Sequence, residues 1–247
     1  MIEHSTLFGF SSALIGLMAL VFLLWTIRLP SQLRAYGAAV VVACGAMSGA
    51  YLFMAADVLT VATTGREESV ARFLGYTVGW AAVCAVVGAV TDADRRYVVG
   101  LLAFILGCLW GTFVSWIVGG IAGTVVSVAI FASLIAMIYI LIGPLTRSAQ
   151  TVSGDRQLLY AKTRNLVILV FGGLILTGIV SEQNLGLTDA FVGQLVATYL
   201  DLIWLAGFGG LVFRYQDALE DAGVPSLVAT LRGSDSSRLE SDLDASP

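Results

Sequence analysis

Apolar residues along the chain fall into seven long stretches, at roughly 6–28, 35–62, 69–91, 97–118, 121–143, 158–181 and 189–214. Each is bounded by charge, Gly or Pro. About 20 predominantly apolar residues suffice to cross a bilayer as a helix, so each stretch predicts one membrane span. The first stretch also has the length of a secretory signal. Glu3 and His4 stand where a basic n-region would be, and no small-residue cleavage site follows, so it is kept as a span.

The short polar segments set an orientation. Arg28 and Arg34 follow the first span, Arg95 and Arg96 the third, Arg147, Arg156 and Lys162 lie between the fifth and sixth, and Arg214 ends the seventh. The opposite loops offer only Arg66. Positive charge is retained on the cytoplasmic side, which predicts the amino terminus outside and the carboxyl end inside. After residue 215 the pattern breaks: 216–247 is rich in Asp, Glu and Ser, with one weak apolar stretch from Pro225 to Leu231. The expected organisation is therefore a membrane domain over 1–215 and an acidic, disordered cytoplasmic tail over 216–247, serving as a solubilising end or as a docking segment.

Composition agrees with the pattern. Hydrophobic residues make up 58% of the 247-residue chain and charged ones 12%, roughly half the share of charge in soluble domains. The mean hydropathy is +0.90. This is a multi-pass protein of the cell membrane, in contact with lipid. A net charge of −4 leaves no basic stripe to neutralise phosphates, so nucleic acid is not an expected partner. Cys44, Cys84 and Cys108 lie in apolar segments without paired spacing and read as small buried side chains. His4 is the only histidine, so neither a metal cluster nor a catalytic triad is indicated, and no enzyme activity is expected. Glycines at four-residue spacing recur as Gly45/Gly49, Gly75/Gly79, Gly107/Gly111 and Gly119/Gly123. Such pairs let helix backbones approach closely, either within one bundle or between copies.

The last two spans carry a more specific signal. Arg164 to Glu182 reads RNLVILVFGGLILTGIVSE, and Leu195 to Arg214 reads LVATYLDLIWLAGFGGLVFR. The elements that stand out are Arg164-Asn165, Ser181-Glu182, Asp201 in mid-span, and Gly207-Phe208-Gly209 ahead of Arg214. Tyr51-Leu52 with Met54, Ala71-Arg72-Phe73 and Tyr139-Ile140-Leu141 add weaker, correctly ordered matches. Over residues 6 to 215 the chain resembles the microbial, archaeal-type rhodopsins. The resemblance implies an all-α membrane protein, a seven-transmembrane-helix bundle of the bacteriorhodopsin type.

It also defines what is missing. In that family a lysine one turn after the seventh-helix aspartate holds retinal as a Schiff base; the corresponding residue here is Leu205. Lys162 is the only lysine, and it belongs to the cytoplasmic end of the sixth span. Covalent retinal is accordingly not expected. The family's proton acceptor and donor positions on the third helix fall at Gly75 and Val86, with Gly79 between, and no carboxylate lies from Phe73 to Val90. A pump, for protons or for chloride, is not expected. The positions that enclose retinal in the family fall at Gly75, Tyr76, Gly79, Phe171, Leu174, Ile175, Gly178 and Leu205, so the cage of bulky aromatics looks dismantled.

What remains polar inside is more informative. Asp201 lies near the midplane of its span, where an ionised carboxylate needs partners. The resemblance implies that Arg72, Tyr51 and Asp201 meet in one hydrogen-bonded cluster, either to fix helix packing or as the polar floor of a small cavity. Asp57, Arg66, Glu67, Glu68 and Glu182 gather at the outer side and read as a solvated rim. Three functional readings stay open. The first is an interaction, regulatory or signalling protein that pairs with a rhodopsin, another membrane protein or itself through glycine-rich helices. The second is a receptor or carrier for an apolar, carotenoid-like ligand in the vacated pocket. The third is a protein that binds retinal noncovalently, or a passive ion pathway past Arg72 and Asp201.

Overall fold

The computed structural model describes residues 4–63, 67–118, 120–181 and 185–222. Among the described residues, seven helices are long and apolar enough to cross a membrane. They are α1 (His4–Arg28), α2 (Arg34–Ala55), α3 (Val70–Thr91), α4 (Arg95–Ile117), α5 (Gly120–Ile142), α7 (Gly154–Val180) and α8 (Ala190–Arg214). The one-turn α6 (Pro144–Ala149) continues α5, and α9 (Gln216–Asp221) follows α8. Large side chains on the outer faces are exposed, such as Ile121 at 87% and Ile135 at 68% on α5. In a bilayer those faces meet lipid, while the helical backbone satisfies its own hydrogen bonds.

Three elements differ from the expectation. The second span stops at Ala55, seven residues early, because Asp57 and Leu59 adopt positive φ of 52° and 60°. The β-branched residues that follow form β1 (Thr60–Ala62), antiparallel to β2 (Glu67–Ser69). The bundle is thus capped at one end by a short hairpin. At the other end, residues 216–221, where a disordered segment was expected, are helical, with Ala218 and Leu219 at 1% exposure against the bundle. The rest of the expected tail, 223–247, lies outside the described residues, as do Arg66, Glu182 and Gly119.

Small and polar residues decide how closely the helices pack. Ser12 and Ser48 each donate to the other's backbone carbonyl at 2.9 Å, joining α1 to α2. A Cβ on Gly75 would stand 2.9 Å from Ala50 Cβ and Met47 Sδ, so this glycine permits the α2–α3 contact. Gly107 and Gly111 serve α4 against α5 in the same way, beside Ser133 and Ile130. Around Gly45 and Gly49 there is open space. Asp92, in left-handed conformation at φ 48°, ends α3. Arg156 of α7 reaches that end, donating to the carbonyls of Val90 and Ala89 at 2.9 Å each and pairing with Asp92 at 2.8 Å. These bonds tether α7 to α3 and satisfy carbonyls that the helix terminus leaves without partners.

Candidate functional site

Helix periodicity assembles the polar core. Arg72 and Tyr76, four residues apart, share a face of α3, and Gln194, Thr198 and Asp201 share a face of α8. Asp201 has no exposed surface. Tyr51 donates to its Oδ2 at 2.7 Å and Tyr76 to its Oδ1 at 2.9 Å. The Tyr51 hydroxyl also lies 3.1 Å from Thr198 Oγ1 and accepts from Arg72 Nη2 at 3.1 Å. Arg72 Nη1 donates to Gln194 Oε1 at 2.5 Å, and Gln194 Nε2 donates to Glu68 at 3.3 Å. A chain of polar groups therefore runs from the hairpin to the middle of the bundle. Each link crosses between elements, and charged members strengthen it.

Arg72, Tyr51 and Asp201 do come together, with the Tyr51 hydroxyl standing between guanidinium and carboxylate. Two positions differ from their expected places. Tyr76, assigned to the wall around retinal, is a direct ligand of Asp201. Glu68, read as part of a solvated rim, is only 3% exposed and accepts from Gln194, because β2 folds it over the start of α3. Asp57 is exposed, as a rim residue would be. Gln194 and Thr198 were missed, although their spacing of seven and three residues from Asp201 places them on its face.

Directly past Asp201 the interior is filled by aromatics. Trp204 stacks on Trp80 with centroids 4.6 Å apart and planes 12° apart, and Trp80 meets Phe171 at 5.2 Å. Both indoles are 1% exposed. Gly79 makes the room: a Cβ there would lie 2.4 Å from Trp204 Cη2. Hence the interior is not empty where bulky wall residues are missing, because Trp80 and Trp204, neither singled out in the sequence, occupy it. Leu205 is fully buried beside them. The Lys162 ammonium sits 5.8 Å from the ring centroid of Tyr215, at the far end of α8.

The open space is displaced sideways. α5 packs against α4 and hardly touches α7. Between them lies a cleft of about 1130 Å³, reaching from the hairpin end to Phe171 in mid-bundle. Of the eight positions expected around retinal, Tyr76, Phe171, Leu174, Ile175 and Gly178 line this cleft, whereas Gly75, Gly79 and Leu205 do not. Glu68, Arg72 and Gln194 form its polar floor. Phe131 of α5, at 57% exposure, stands where the cleft meets the outer surface of the bundle.

A family model described as bacteriorhodopsin-like protein matches residues 2–219. The chain belongs to the bacteriorhodopsin-like family. Within it, the chain is 24% identical over 176 residues to sensory rhodopsin-2 of Natronomonas pharaonis, an alignment covering 71% of this chain and 74% of that protein. Solved structures share the fold. The thermophilic rhodopsin of Rubrobacter xylanophilus superposes with a TM-score of 0.80 at 19% identity, covering 89% of this chain and 99% of that one. A light-driven proton pump of Leptosphaeria maculans gives 0.78 at 10% identity, covering 90% and 98%. The seven-helix frame is thus that of the bacteriorhodopsin-like family.

Proposed function

We propose that this chain is a non-photochemical member of its family that binds a lipid-soluble ligand in the cleft between α5 and α7, as a receptor or carrier. The cleft is the observation that carries the reading. Its size exceeds the roughly 300–1000 Å³ of ordinary small-molecule pockets, and it pairs a mainly apolar wall with a few convergent polar groups. Ligand would enter laterally, from the bilayer.

The residues present do not fit a Schiff-base retinal. Position 205 offers an isobutyl group, the single lysine is engaged with Tyr215, and the Trp80–Trp204 stack fills the interior beside Leu205. Nor do they fit a pump: the polar chain from Glu68 ends at Asp201, and beyond it come Trp204, Leu205 and Phe208, each at most 1% exposed. A relay toward the α9 end would need further ionisable groups there.

Two measurements test this reading. Protein purified after addition of all-trans retinal should show no visible band that hydroxylamine or light bleaches; such a band overturns it. Organic extracts of protein from its native membrane should contain a lipophilic molecule in near-stoichiometric amount, and a clean extract counts against a ligand-binding role. A second reading, pairing with another membrane protein, is favoured by Gly45 and Gly49, where an added Cβ meets nothing within 4 Å. That face of α2 is free for a neighbouring helix. Gly45→Leu with Gly49→Leu should abolish any complex that uses it and leave the monomer folded; a complex that survives removes this reading.

A further inference from the structure

The cleft's hydrogen-bonding inventory narrows the class of ligand, on the reading that the cleft is a ligand site. Six serine and threonine side chains line it: Thr112 and Ser115 on α4, Thr124 and Ser127 on α5, Thr177 on α7, and Ser181 at the end of α7. Each donates its only hydroxyl hydrogen backward to a carbonyl of its own helix, over 2.7 to 3.4 Å. Such back-bonding is ordinary for Ser and Thr in apolar helices. Its consequence for a wall is that the oxygens remain as acceptors while no hydroxyl hydrogen is left to give. In the floor, Gln194 gives its amide to Glu68 and Tyr76 gives its hydroxyl to Asp201. Arg72 donates from Nη1 to Gln194 and from Nη2 to Tyr51, while its buried Nε–H has no partner.

Charge points the same way. Among the described residues, Arg72 is joined to two carboxylates, to Glu68 through Gln194 and to Asp201 through Tyr51, so a negatively charged head group entering the cleft would meet no net positive charge in a medium that screens poorly. Along the serine and threonine wall, a head that only accepts hydrogen bonds would lose water and find no hydroxyl donor. The hydroxyls lie within about two turns of the hairpin-end termini of their helices, whereas the deeper wall is Leu109, Ile130, Leu134, Phe171, Leu174 and Ile175. The cleft therefore grades from acceptor-rich at its hairpin end to apolar toward mid-bundle.

We infer that the cleft takes a neutral amphiphile whose head group donates hydrogen bonds, a hydroxyl-bearing lipid, with its head at the hairpin end and its hydrocarbon chain directed toward Phe171. An anionic amphiphile such as a fatty acid is disfavoured by the same groups.

Trp116 lines the cleft and supplies a signal. Full-length protein in nanodiscs is titrated with a brominated long-chain alcohol, with the brominated fatty acid of equal length at a pH where it is ionised, and with the brominated hydrocarbon, and quenching of tryptophan fluorescence is followed. The expected result is saturable quenching by the alcohol at about tenfold lower concentration than by the acid, lost in Trp116→Phe. Ser127→Ala with Thr177→Val should weaken the alcohol about tenfold and leave the hydrocarbon unchanged. Gly178→Phe, placed where an added Cβ meets nothing within 4 Å, should retain the helical circular dichroism and abolish quenching by all three probes. An acid that binds as well as the alcohol overturns the head-group assignment while leaving the cleft as a ligand site. No saturable quenching by any probe overturns both.

Discussion

Gly79 offers the sharpest test of the claim that the interior has been refilled rather than left vacant. In Gly79→Ala the new Cβ would lie 2.4 Å from Trp204 Cη2 and 3.0 Å from Cζ2, about 1 Å inside ordinary carbon contact at the closer atom. Trp204 cannot simply swing aside, since it stacks on Trp80 at 4.6 Å and Trp80 abuts Phe171. Overpacking of this kind costs about 1–3 kcal/mol. The helix propensity gained on replacing Gly by Ala, about 1 kcal/mol, would mask part of it. Gly172→Ala on α7 is the control, because an added Cβ there meets nothing within 4 Å and the propensity gain is the same. The stability difference between the two variants should therefore be about 1–3 kcal/mol, read from denaturant-induced unfolding in mixed micelles by circular dichroism. Adding Trp204→Phe should return most of that difference, a coupling of about 0.5–3 kcal/mol, and it also removes a buried indole N–H that has no hydrogen-bond partner. Equal stability of Gly79→Ala and Gly172→Ala would refute the packing argument.

Two further outcomes follow from the polar core and the tether at the α9 end. Tyr51→Phe and Tyr76→Phe should each destabilise by about 1–2 kcal/mol. In an Asp201→Asn background the Tyr76→Phe cost should fall, because the phenol then meets a neutral amide instead of a carboxylate; a double-mutant cycle with no coupling would show that the hydroxyls do not act through Asp201. Arg156→Ala removes two carbonyl bonds and the pair with Asp92. Its expected cost is about 2–3 kcal/mol, seen as faster amide exchange confined to the end of α3 and the start of α7, and uniform exchange across all helices would contradict a local tether.

The molecule was unevenly legible in its sequence. Seven spans and their order could be read directly, since a helix in lipid must present about 20 apolar residues whatever it packs against. Asp201 was legible as a mid-bilayer carboxylate in need of partners, and the resemblance to the rhodopsins implied Arg72 and Tyr51 as those partners. Tyr76 was placed on the wall around retinal because the family resemblance puts a retinal-enclosing residue at that position. Its four-residue spacing from Arg72 was the overlooked sign that it faces the polar core. Glu68 looked like a rim residue because a hairpin three residues long per strand leaves little trace in hydropathy, and only that hairpin turns its side chain inward.

By itself, the sequence determined that the chain crosses a membrane seven times and carries a lone carboxylate within its seventh span. These are properties of single segments, set by hydropathy and residue identity. Only the tertiary structure decided that two tryptophans occupy the centre and that the remaining space opens between α5 and α7. Volume is shared among helices distant in sequence, and Gly79 is merely an absent side chain until the ring of Trp204 is placed against it.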